Sequence, residues 1–581
     1  MDRPWVSQYD PGMKQSVSYP DKTMYEMLAR TVERFPSETA VSFEGTGIRY
    51  KELLLLVDQC AASLLSYGVR TGSVVTVCLP NTPHAVVVFY AINRIGAVAN
   101  MVHPKTPPEE LRHFLQSTGS DMLFILDAFL KKQVTMIEQI HLSRVIVARI
   151  GDFLSPIKSV GFYAVSGRKI PAIPSSPVFV SWKSFLRRSA HAERIPYQRA
   201  AMPGSPSVFL HSGGTTGLPK TIVLSSYNFN VLAVHGPMIV NIPDPFLSGI
   251  PPRKAMVTIL PLFHGFGLCM GMHTMMCNAI TALLIPQFEP ETLAQKLLRE
   301  KPAFIAAVPT LFEGILRSEK LKNADLSFLE CCFCGGDSLT ADLKERFETF
   351  LRERGADISL REGYGLTETV TVCCVNPQQR AKPDSVGLPL PDIDMKIVKE
   401  GTEDEMPTGE QGEILVSGPT VMLGYLGDPA GTAEAIHTHR DGRKWVHTGD
   451  FGFMDESGYF HFTQRLKRII KVSGVPVFPS QIEEVISGVE GVKQVCAVPV
   501  PDPYRIHIVK AFVVPEGGKE KADTDKVERA IRSRCESALI PYARPVEFEF
   551  RDELPLTLVG KVDYRALEAE EESRRRAAAL S

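Results

Sequence analysis

Hydrophobic and polar positions follow two alternating periods along most of the chain. Spacings of three and four residues predict helices over residues 24–35, 50–67 and 83–95. Short β-branched and apolar runs between them predict strands at residues 40–43, 74–78 and 97–102. Because helices and strands alternate, the pattern predicts helix-covered parallel sheets and an α/β fold. Residues 1–22 lack such a pattern, and we expect them to be a poorly ordered lead-in.

The pattern beyond residue 466 predicts a second, smaller α/β domain. Strands are predicted at residues 493–500 and 508–514, and a helix at residues 523–538. We therefore place a large N-terminal domain at residues 1–466 and a small C-terminal domain at residues 467–581. Ser480-Gln-Ile-Glu483 is typical of a capping box that opens a helix. Acidic residues 570–572 precede Arg574–Arg576 by four positions, which predicts an exposed helix with i,i+4 ion pairs and no further role.

Composition describes an ordinary globular protein of more than one domain. The chain has 581 residues, of which 44% are hydrophobic and 22% are charged. The 64 basic and 66 acidic residues nearly cancel, which argues against a nucleic-acid binder. No apolar run reaches the roughly 18 residues that span a bilayer, and the first residues lack the apolar core of a signal peptide. A cytoplasmic protein is expected.

Residues 151–200 depart from this balance. They carry eight Lys or Arg residues against two acids, and the interleaved aromatic residues include Phe153, Phe162, Tyr163, Phe179, Trp182 and Phe185. Such a segment is typical of peripheral contact with an anionic membrane surface. The alternative is a solvated excursion that packs its aromatic residues on its own domain. We favour the alternative because no clean amphipathic helix is evident.

The eleven cysteines show no repeated spacing. Cys331 and Cys334 form a C-x-x-C pair, which can indicate a zinc or redox site. They stand, however, in a run that is typical of a buried strand, where a free cysteine acts as a small hydrophobic residue. We interpret them as core residues of a protein from a reducing compartment.

A glycine-rich stretch at residues 211–220 reads His-Ser-Gly-Gly-Thr-Thr-Gly-Leu-Pro-Lys. Apolar runs on both sides predict a loop that joins two strands. Glycines let backbone N–H groups approach an anion closely, hydroxyls add donors, and a lysine adds a point charge. Pro219 stands before Lys220, so the Walker pattern is not met. The stretch predicts a phosphate cradle whose members are Ser212, Gly213, Gly214, Thr215, Thr216, Gly217 and Lys220.

Further candidate residues follow the ends of predicted strands. Tyr364 offers an aromatic face for a base, Thr367 a hydroxyl for an α-phosphate, and Glu368 a hard oxygen ligand for Mg²⁺. Thr216 is a second candidate ligand for the metal. Asp450 follows a glycine and is free to accept both hydroxyls of a ribose. The same motifs contribute candidate nucleotide-binding residues Gly335, Gly336, Asp337, Glu362, Gly363 and Gly365.

These motifs, taken in order, resemble the adenylate-forming superfamily of acyl-CoA synthetases, luciferases and peptide-synthetase adenylation domains. Ser-Gly-Gly-Thr-Thr-Gly-Leu-Pro-Lys is similar to its phosphate signature, and Gly363-Tyr-Gly-Leu-Thr-Glu-Thr369 to its adenine-and-phosphate motif. The stretch from Asp441 to Gly474 resembles the fatty-acyl-CoA synthetase signature, and Val559-Gly-Lys561 its C-terminal lysine motif. The resemblance covers about residues 25–564 and is strongest to bacterial long-chain fatty-acid–CoA ligases.

The resemblance implies roles for residues that the pattern alone leaves undecided. It places His264 beside the carboxylate of the acid, Arg465 at the ribose and Lys467 at a hinge between the domains. Lys561 and Lys220 then serve adenylate formation together with His264, Thr367 and Glu368. After rotation of a mobile small domain, the segment around Lys471 and Gly474 serves the second step. Gln464 and Arg468 depart from the family pattern, which leaves the energetics of the hinge open.

The implied reaction is ATP- and Mg²⁺-dependent conversion of a fatty acid to acyl-CoA, with coenzyme A as co-substrate. A fatty-acyl-AMP ligase, or a stand-alone enzyme that loads an acyl carrier protein, is the runner-up. A peptide-synthetase-type domain is disfavoured because Phe263-His264-Gly265-Phe266 has no Asp to hold an α-amino group. A catalytically silent nucleotide-binding scaffold is disfavoured because Glu368 and Lys561 are both kept.

Overall fold

Strands and helices alternate through the large domain, as the hydrophobic pattern predicts. The protein is described from a computed structural model. The residues described are 3–166, 170, 172–191, 199–212, 219–337, 339–473, 475–502, 505–520, 522–557 and 561–580. The strands of the large domain are β1 Thr39–Phe43, β2 Thr46–Arg49, β3 Val74–Cys78, β4 Val98–Met101, β5 Met122–Leu126, β6 Arg144–Ala148, β7 Phe179–Ser181, β8 Pro206–His211, β9 Thr221–Ser225, β10 Ala255–Thr258, β11 Thr281–Leu284, β12 Phe304–Ala307, β13 Cys331–Gly335, β14 Leu360–Gly365, β15 Val372–Val375, β16 Leu388–Pro389, β17 Asp394–Val398, β18 Gly412–Ser417, β19 Gly424–Tyr425, β20 Ile436–Thr438, β21 Lys444–Met454 and β22 Phe460–Arg465.

Helices connect and cover these strands. The α-helices are α1 Met24–Arg34, α2 Tyr50–Ser66, α3 Pro83–Arg94, α4 Pro108–Ser117, α5 Asp127–Gln139, α6 Pro156–Ser166, α7 Trp182–Arg187, α8 Ser226–Ile239, α9 Pro245–Ser248, α10 Thr274–Cys277, α11 Pro290–Glu300, α12 Pro309–Leu316, α13 Ala341–Arg352 and α14 Pro429–Ala435. A π-helix, Phe266–His273, precedes α10. Within the described residues, every helix is too short or too polar to cross a bilayer.

Three sheets build the large domain. A nine-stranded sheet has the order β16-β15-β14-β13-β12-β10-β11-β1-β2, and an eight-stranded sheet the order β19-β9-β8-β4-β3-β5-β6-β7. Their central strands are parallel. Antiparallel strands form both edges of the nine-stranded sheet and the β19 edge of the eight-stranded sheet, whereas β7 at the other edge pairs with β6 in parallel. A third, antiparallel sheet contains β17, β18, β20, β21 and β22. The mixture of parallel strands and covering helices confirms the predicted α/β class.

Helix α3 lies in the interior of the large domain. Every one of its residues is buried, which agrees with a sequence that is apolar on all sides. Its polar positions are satisfied across the core: Tyr90 Oη lies 2.9 Å from His273 Nδ1, and Asn93 Oδ1 accepts from the Tyr25 backbone N–H at 2.7 Å. These contacts join α3 to α1 and the π-helix, beside the site described below.

In the small domain, helices pack on a three-stranded mixed sheet. Its elements are β23 Ile470–Val472, β24 Val475–Val477, α15 Pro479–Ser487, β25 Val492–Asp502, β26 Ile506–Pro515, α16 Thr524–Ala538, β27 Glu547–Phe550 and α17 Tyr564–Leu580. Strands β25 and β26 are antiparallel, β26 and β27 are parallel, and β23 and β24 form a separate hairpin. A core of its own includes Ile482, Ile486 and Ile531. The predicted small α/β domain is therefore confirmed.

The prediction of a poorly ordered lead-in is wrong for the described residues of that segment. Trp5 is buried and its ring centroid lies 6.1 Å from that of Phe460. Arg3 Nε lies 2.6 Å from Asp394 Oδ1, and Tyr19 Oη donates to Asp392 Oδ2 at 2.8 Å. The segment is held by partners several hundred positions away, which local pattern cannot reveal.

Two local predictions in the small domain are also wrong. Ser480 is inside α15 and its hydroxyl donates to the Thr463 carbonyl at 2.8 Å, so it forms no capping box. Helix α17 is more than an exposed tail, because its Glu571 accepts from Lys510 at 2.6 Å in the interior. Glu570 pairs with both Arg551 and Arg574, and Glu571 with Arg575. The predicted i,i+4 pairs at 570 and 571 exist, but they belong to a network that docks the helix on the sheet.

The favoured interpretation of residues 151–200 agrees with the described part of the segment. Phe179, Trp182 and Phe185 are buried in the large domain. Arg188 lies with its guanidinium 4.6 Å from the ring centroid of Tyr67. Arg168, Lys169 and Arg194 are outside the described residues.

The eleven cysteines are all free and buried. Cys331 and Cys334 belong to β13, as predicted for core residues. Burial raises the pKa of both thiols, so neither is a ready thiolate.

Candidate active site

The site forms where neighbouring parallel strands of the nine-stranded sheet end. Strands β13 and β14 are parallel, with Gly335 opposite Gly363. Their carboxyl ends therefore open on the same edge, which is where α/β sheets commonly bind ligands. The ends of these strands and the segments that follow them bring together Gly336, Asp337 and the run from Tyr364 to Glu368, as the motifs predict.

Close packing explains two glycines of this region. A Cβ atom on Gly365 would lie 1.5 Å from the Thr371 carbonyl oxygen, and one on Gly265 would lie 1.8 Å from the Val370 carbonyl oxygen. The segment after Glu368 thus threads between the Tyr364 strand and the His264 loop. Val370 itself has a φ of 68°, an uncommon conformation for a β-branched residue. Any side chain at either glycine would displace this segment.

Tyr364, Asp450 and Arg465 form a second group. Tyr364 Oη donates to Asp450 Oδ2 at 2.7 Å. Asp450 and Arg465 are direct cross-strand partners on β21 and β22, and Arg465 Nε lies 3.3 Å from Asp450 Oδ1. The Tyr364 ring stacks on Phe462 at a centroid distance of 6.0 Å. The predicted base-stacking and ribose residues therefore meet, although they are 86 to 101 positions apart.

The carboxylate of Asp450 has unused hydrogen-bonding capacity in this arrangement. Its Oδ1 atom is buried, and the described residues offer it no hydrogen bond of good geometry. Burial raises the pKa of the carboxyl, against the lowering effects of Arg465 and Tyr364. A buried carboxylate oxygen with free lone pairs fits hydroxyl donors such as those of a ribose.

Glu368 is held by a residue that the motif analysis missed. Tyr425 Oη donates to Glu368 Oε1 at 2.9 Å, and the Met422 backbone N–H donates to the Glu368 carbonyl at 2.8 Å. Lys220 lies beside the same tyrosine, with Nζ 4.3 Å from its ring centroid and 3.9 Å from Asp428 Oδ2. Tyr425 and Asp428 have no sequence signal of their own, because strand β19 reaches the site only through its pairing with β9.

The glycine-rich stretch joins antiparallel strands β8 and β9, as predicted. Residues 213–218 are outside the described part of the chain, so the cradle positions Gly213, Gly214, Thr215, Thr216 and Gly217 stay predictions. At the ends of the stretch, the Ser212 backbone N–H donates to the Lys220 carbonyl at 3.0 Å. His211 Nε2 lies 2.7 Å from Asn100 Oδ1, and burial lowers the pKa of this histidine to about 3. A neutral, bonded imidazole thus anchors the start of the stretch.

His264 lies in the loop between β10 and the π-helix. Its Nδ1 accepts from the Phe266 backbone N–H at 3.3 Å, and its carbonyl accepts from Leu268 at 2.9 Å. Burial lowers the pKa of the imidazole to about 4, and the charge of Lys561 adds to the lowering. The ring is therefore neutral at physiological pH.

Lys561 brings the small domain into this site. Burial lowers its pKa; Asp337 and Asp450 oppose that effect, while the Arg465 cation reinforces it. The Thr557 backbone N–H donates to the Lys561 carbonyl at 2.7 Å, and the Lys561 N–H donates to Thr557 Oγ1 at 3.2 Å. Residues 558–560 are not described. A cation from one domain thus faces carboxylates from the other.

One cavity of about 1750 Å³ connects these groups. His264, Tyr364, Glu368, Asp450 and Lys561 all line it. Glu362 lines it as well, and burial raises the pKa of its carboxyl to about 7. Another part of the wall consists of buried apolar side chains, namely Ile239, Val240, Met256, Met270, Met275 and Phe333. The cavity therefore combines a charged region with an apolar region that suits an alkyl chain.

The segment between the domains carries the two departures from the family pattern. Gln464 is buried, with its Oε1 3.5 Å from Ser480 Oγ. Arg468 Nη1 donates to Glu483 Oε2 at 3.0 Å, and its guanidinium lies 4.8 Å from the ring centroid of Tyr564. Arg468 is therefore tied to the small domain. Lys467 and Lys471 are described for their backbone only, and Gly474 is outside the described residues.

Comparison with known families places the chain. Residues 28–426 match the AMP-binding enzyme family, and residues 481–561 match the AMP-binding enzyme C-terminal domain. The chain belongs to the AMP-binding enzyme family. The resemblance inferred from the motifs is thereby confirmed.

Curated relatives match along nearly the whole chain. A long-chain-fatty-acid–CoA ligase of Bacillus subtilis (strain 168) is 30% identical, over 98% of this chain and 98% of the relative. A long-chain-fatty-acid–CoA ligase of Salmonella typhimurium is 31% identical over the same shares of both chains, 98% and 98%.

Solved structures share the fold. An anthranilate CoA ligase in complex with anthranoyl-AMP superposes with a TM-score of 0.79 at 22% identity, covering 95% of this chain and 97% of that one. An o-succinylbenzoate CoA synthetase from Bacillus subtilis in complex with its acyl-adenylate has a TM-score of 0.75 at 21% identity, covering 94% and 98%.

Proposed function

We propose that this protein is an AMP-forming fatty-acid–CoA ligase. The observation that carries the proposal is one cavity whose wall includes both charged groups, among them Glu368 and Lys561, and buried apolar side chains. Three of the six apolar side chains named above are methionines, whose flexible thioethers adapt to an alkyl chain. Full-length relatives named long-chain-fatty-acid–CoA ligase support the same substrate class.

In the first half-reaction the fatty carboxylate attacks the α-phosphorus of ATP. A P–O bond to the α-phosphorus forms, the bond to pyrophosphate breaks, and acyl-AMP remains. Lys561 and Lys220 supply positive charge around the phosphates, and Thr367 donates to the α-phosphate. Positioning and electrostatic stabilisation of this kind account for most of the catalysis in phosphoryl and nucleotidyl transfer. Asp450 holds the ribose hydroxyls, and Tyr364 stacks on the adenine.

The residues present fit a magnesium ion at Glu368. Its carboxylate is held by one phenol hydrogen bond, which leaves oxygen lone pairs for a hard cation. When bound, the ion would neutralise phosphate charge; Thr216 is the second proposed ligand.

In the second half-reaction the thiolate of coenzyme A attacks the acyl carbonyl. A C–S bond forms and the C–O bond to AMP breaks, so acyl-CoA and AMP leave together. The proposal assigns Lys467 as the hinge, and Lys471 and Gly474 as the segment that approaches the site after the small domain turns. The boundary at residue 466 belongs to this proposal too. Rigid-body rotation about a short hinge is a common way to exchange two sets of groups at one site.

The experiment that tests the function separates a ligase from an adenylate-only enzyme. Pyrophosphate release is measured against a panel of medium- and long-chain acids, with and without coenzyme A, while acyl-AMP, acyl-CoA and AMP are quantified. We expect AMP and acyl-CoA to appear in equal amounts when coenzyme A is present. Accumulation of acyl-AMP at saturating coenzyme A, across the panel, would reject the ligase and favour the fatty-acyl-AMP ligase or a carrier-protein loader. As a matched variant, Gly474→Leu should slow thioester formation more than pyrophosphate release.

Two further proposals concern the location of the protein in the cell and not its reaction. Location in the cytoplasm and peripheral contact with an anionic membrane both remain proposals. The membrane contact is supported by Ile157 and Val160 of α6, which are 87% and 72% exposed and flank Lys158. The burial of Phe179, Trp182 and Phe185 supports the alternative that this segment only packs on its own domain.

A further inference from the structure

Three histidines lie together on the antiparallel sheet, outside the cavity described above. Among the described residues, the group with metal-binding spacing consists of His437, His439 and His447, whose candidate ligand nitrogens all lie within 4.8 Å of one another. His437 is on β20 and His447 on β21, and the hairpin between them carries His439. We call this group the histidine cluster. The adenylation chemistry proposed above uses none of its members.

The hairpin register explains why the three rings meet. His437 is the direct cross-strand partner of Trp445, and the His439 backbone N–H donates to the Arg443 carbonyl at 3.0 Å. Residues two apart on a strand, and residues directly opposite each other, share a face of the sheet. His437, His439 and His447 therefore occupy one face, with ring centroids of His437 and His447 only 4.2 Å apart.

The nitrogen atoms are arranged for coordination. His439 Nε2 lies 3.1 Å from His447 Nε2. Tetrahedral zinc with bonds of about 2.0–2.1 Å places its nitrogen ligands about 3.3 Å apart, so this pair already has the required separation. The candidate nitrogen of His437 lies within 4.8 Å of the other two, and the side chain of His437 is exposed. His439 is only 4% exposed, and its Nδ1 has no hydrogen-bond partner among the described residues.

A carboxylate behind the cluster orients one of its rings. His447 Nδ1 lies 3.1 Å from Glu413 Oε2, so Nδ1 donates to the carboxylate and the lone pair of Nε2 points into the cluster. This carboxylate–histidine pairing is the usual outer support of a metal-bound imidazole. The other oxygen of Glu413 accepts from the Gly449 backbone N–H at 3.1 Å, next to Asp450.

Charged neighbours leave room for a cation. Glu403, Asp441 and Lys396 are charged neighbours of His439, and Glu413 contacts His447. Lys396 Nζ lies 4.5 Å from the Trp445 ring centroid and 3.7 Å from Glu405 Oε1, so other partners offset part of its charge.

We propose that the histidine cluster is a binding site for one divalent first-row transition ion, with zinc as the best-suited member, held by His437, His439 and His447. Imidazole is a ligand that such ions prefer, whereas Mg²⁺ and Ca²⁺ prefer oxygen. The ion would clamp β20 to β21 three residues before Asp450. Its role is to brace the strand that carries the proposed ribose carboxylate.

The test uses full-length, untagged protein stripped with a chelator. Zn²⁺ is titrated in competition with a chromophoric chelator, and the expected result is one tight site per chain. His437→Gln and His439→Gln should each lower the affinity by about tenfold or more, and Glu413→Gln by about 10- to 100-fold through loss of the outer support. His141→Gln replaces an exposed histidine outside the cluster and should bind like the unaltered protein. Excess Mg²⁺ should not displace the zinc.

A second readout does not depend on the competitor. Zinc should raise the melting temperature of the unaltered protein and of His141→Gln, and should not raise that of His437→Gln. Because His437 is exposed, this variant should fold and keep its metal-free adenylation rate. Absence of a saturable site in the unaltered protein overturns the proposal. So does zinc binding that survives unchanged in both His437→Gln and His439→Gln, since the ion would then lie elsewhere.

Discussion

The large and small domains contribute to one cavity in different ways. The large domain supplies Tyr364, Asp450 and Arg465 from strands β14, β21 and β22, where ladder hydrogen bonds and cross-strand pairing fix each side chain. The small domain supplies Lys561 from a short segment closed by an isolated bridge between Leu556 and Val562. Residues that act in both steps of a two-step reaction are best held by a rigid framework. A residue that acts in a single step is better placed on an element that can move away from the site.

The charged groups of the site differ between the two domains in the same way. Asp450 is part of a fixed group with Tyr364 and Arg465, whereas Lys561 meets its carboxylates only across the domain boundary. Burial disfavours the charged form of Lys561, so its place in the cavity is most favourable when phosphate charge is present. We infer that nucleotide binding and domain closure support each other.

Lys561→Ala removes the cation that the small domain contributes to the cavity, and we expect it to impair catalysis the most. We expect pyrophosphate release to fall by about 10²–10³, which corresponds to about 2.7–4 kcal/mol of lost transition-state stabilisation. Conversion of supplied acyl-adenylate to acyl-CoA should be largely kept, because the fixed residues of the large domain remain. Each half-reaction is measured separately, with Lys526→Ala, an exposed lysine of α16, as the matched control. An equal loss in both half-reactions would contradict the division of labour between the domains.

Acid should destabilise the large domain before the small one. Burial lowers the pKa of His264 to about 4, and those of His211, His235 and His273 to about 3. In the unfolded chain these groups protonate near pH 6.5, so between about pH 6.5 and 4 the unfolded state binds more protons. The stability that these neutral histidines give to the large domain is therefore fully present above about pH 6.5 and is lost as the pH falls.

His264 contributes to this loss because burial holds its pKa well below the value of about 6.5 at which a free imidazole titrates. The small domain, taken as residues 467–581, contains one histidine, His507. Calorimetry between pH 7 and pH 4 should show the transition of the large domain moving to lower temperature by more than that of the small domain. Two transitions that shift equally would show that the buried histidines do not set the acid response.

Substitutions in the rigid group of Tyr364, Asp450 and Arg465 should have milder consequences. Asp450→Asn removes the charged acceptor for the ribose and should raise KM for ATP by about 10- to 100-fold, as expected for hydrogen bonds to a charged group of about 1.5–3 kcal/mol. Tyr364→Phe keeps the ring and removes only the donor to Asp450, so its effect on KM should be smaller. Initial rates at varied ATP concentration measure both. An unchanged KM for ATP in Asp450→Asn would remove this carboxylate from the ribose site.

Local sequence pattern is enough to predict the family, the α/β class and the strand–loop–strand setting of the glycine-rich stretch. These features are local: hydrophobic period defines the elements, and contiguous motifs such as Gly363–Thr369 carry the resemblance that the comparisons confirm. The catalytic and binding roles, and the boundary at residue 466, stay predictions that the experiments above address.

Contacts between residues far apart in the chain follow from the three-dimensional fold and have no local sequence signal. Tyr425 reaches Glu368 across 57 positions because β19 pairs with β9, and Trp5 reaches Phe460 from a segment without any pattern. Ser480 to Glu483 has the residue pattern of a capping box, yet the Ser480 hydroxyl donates to the carbonyl of Thr463 in β22. The histidine cluster forms because a hairpin register places three side chains on one face. Hydrophobic periodicity records whether a residue is buried; which partner it meets depends on strand order and register, which are set by packing of the whole chain.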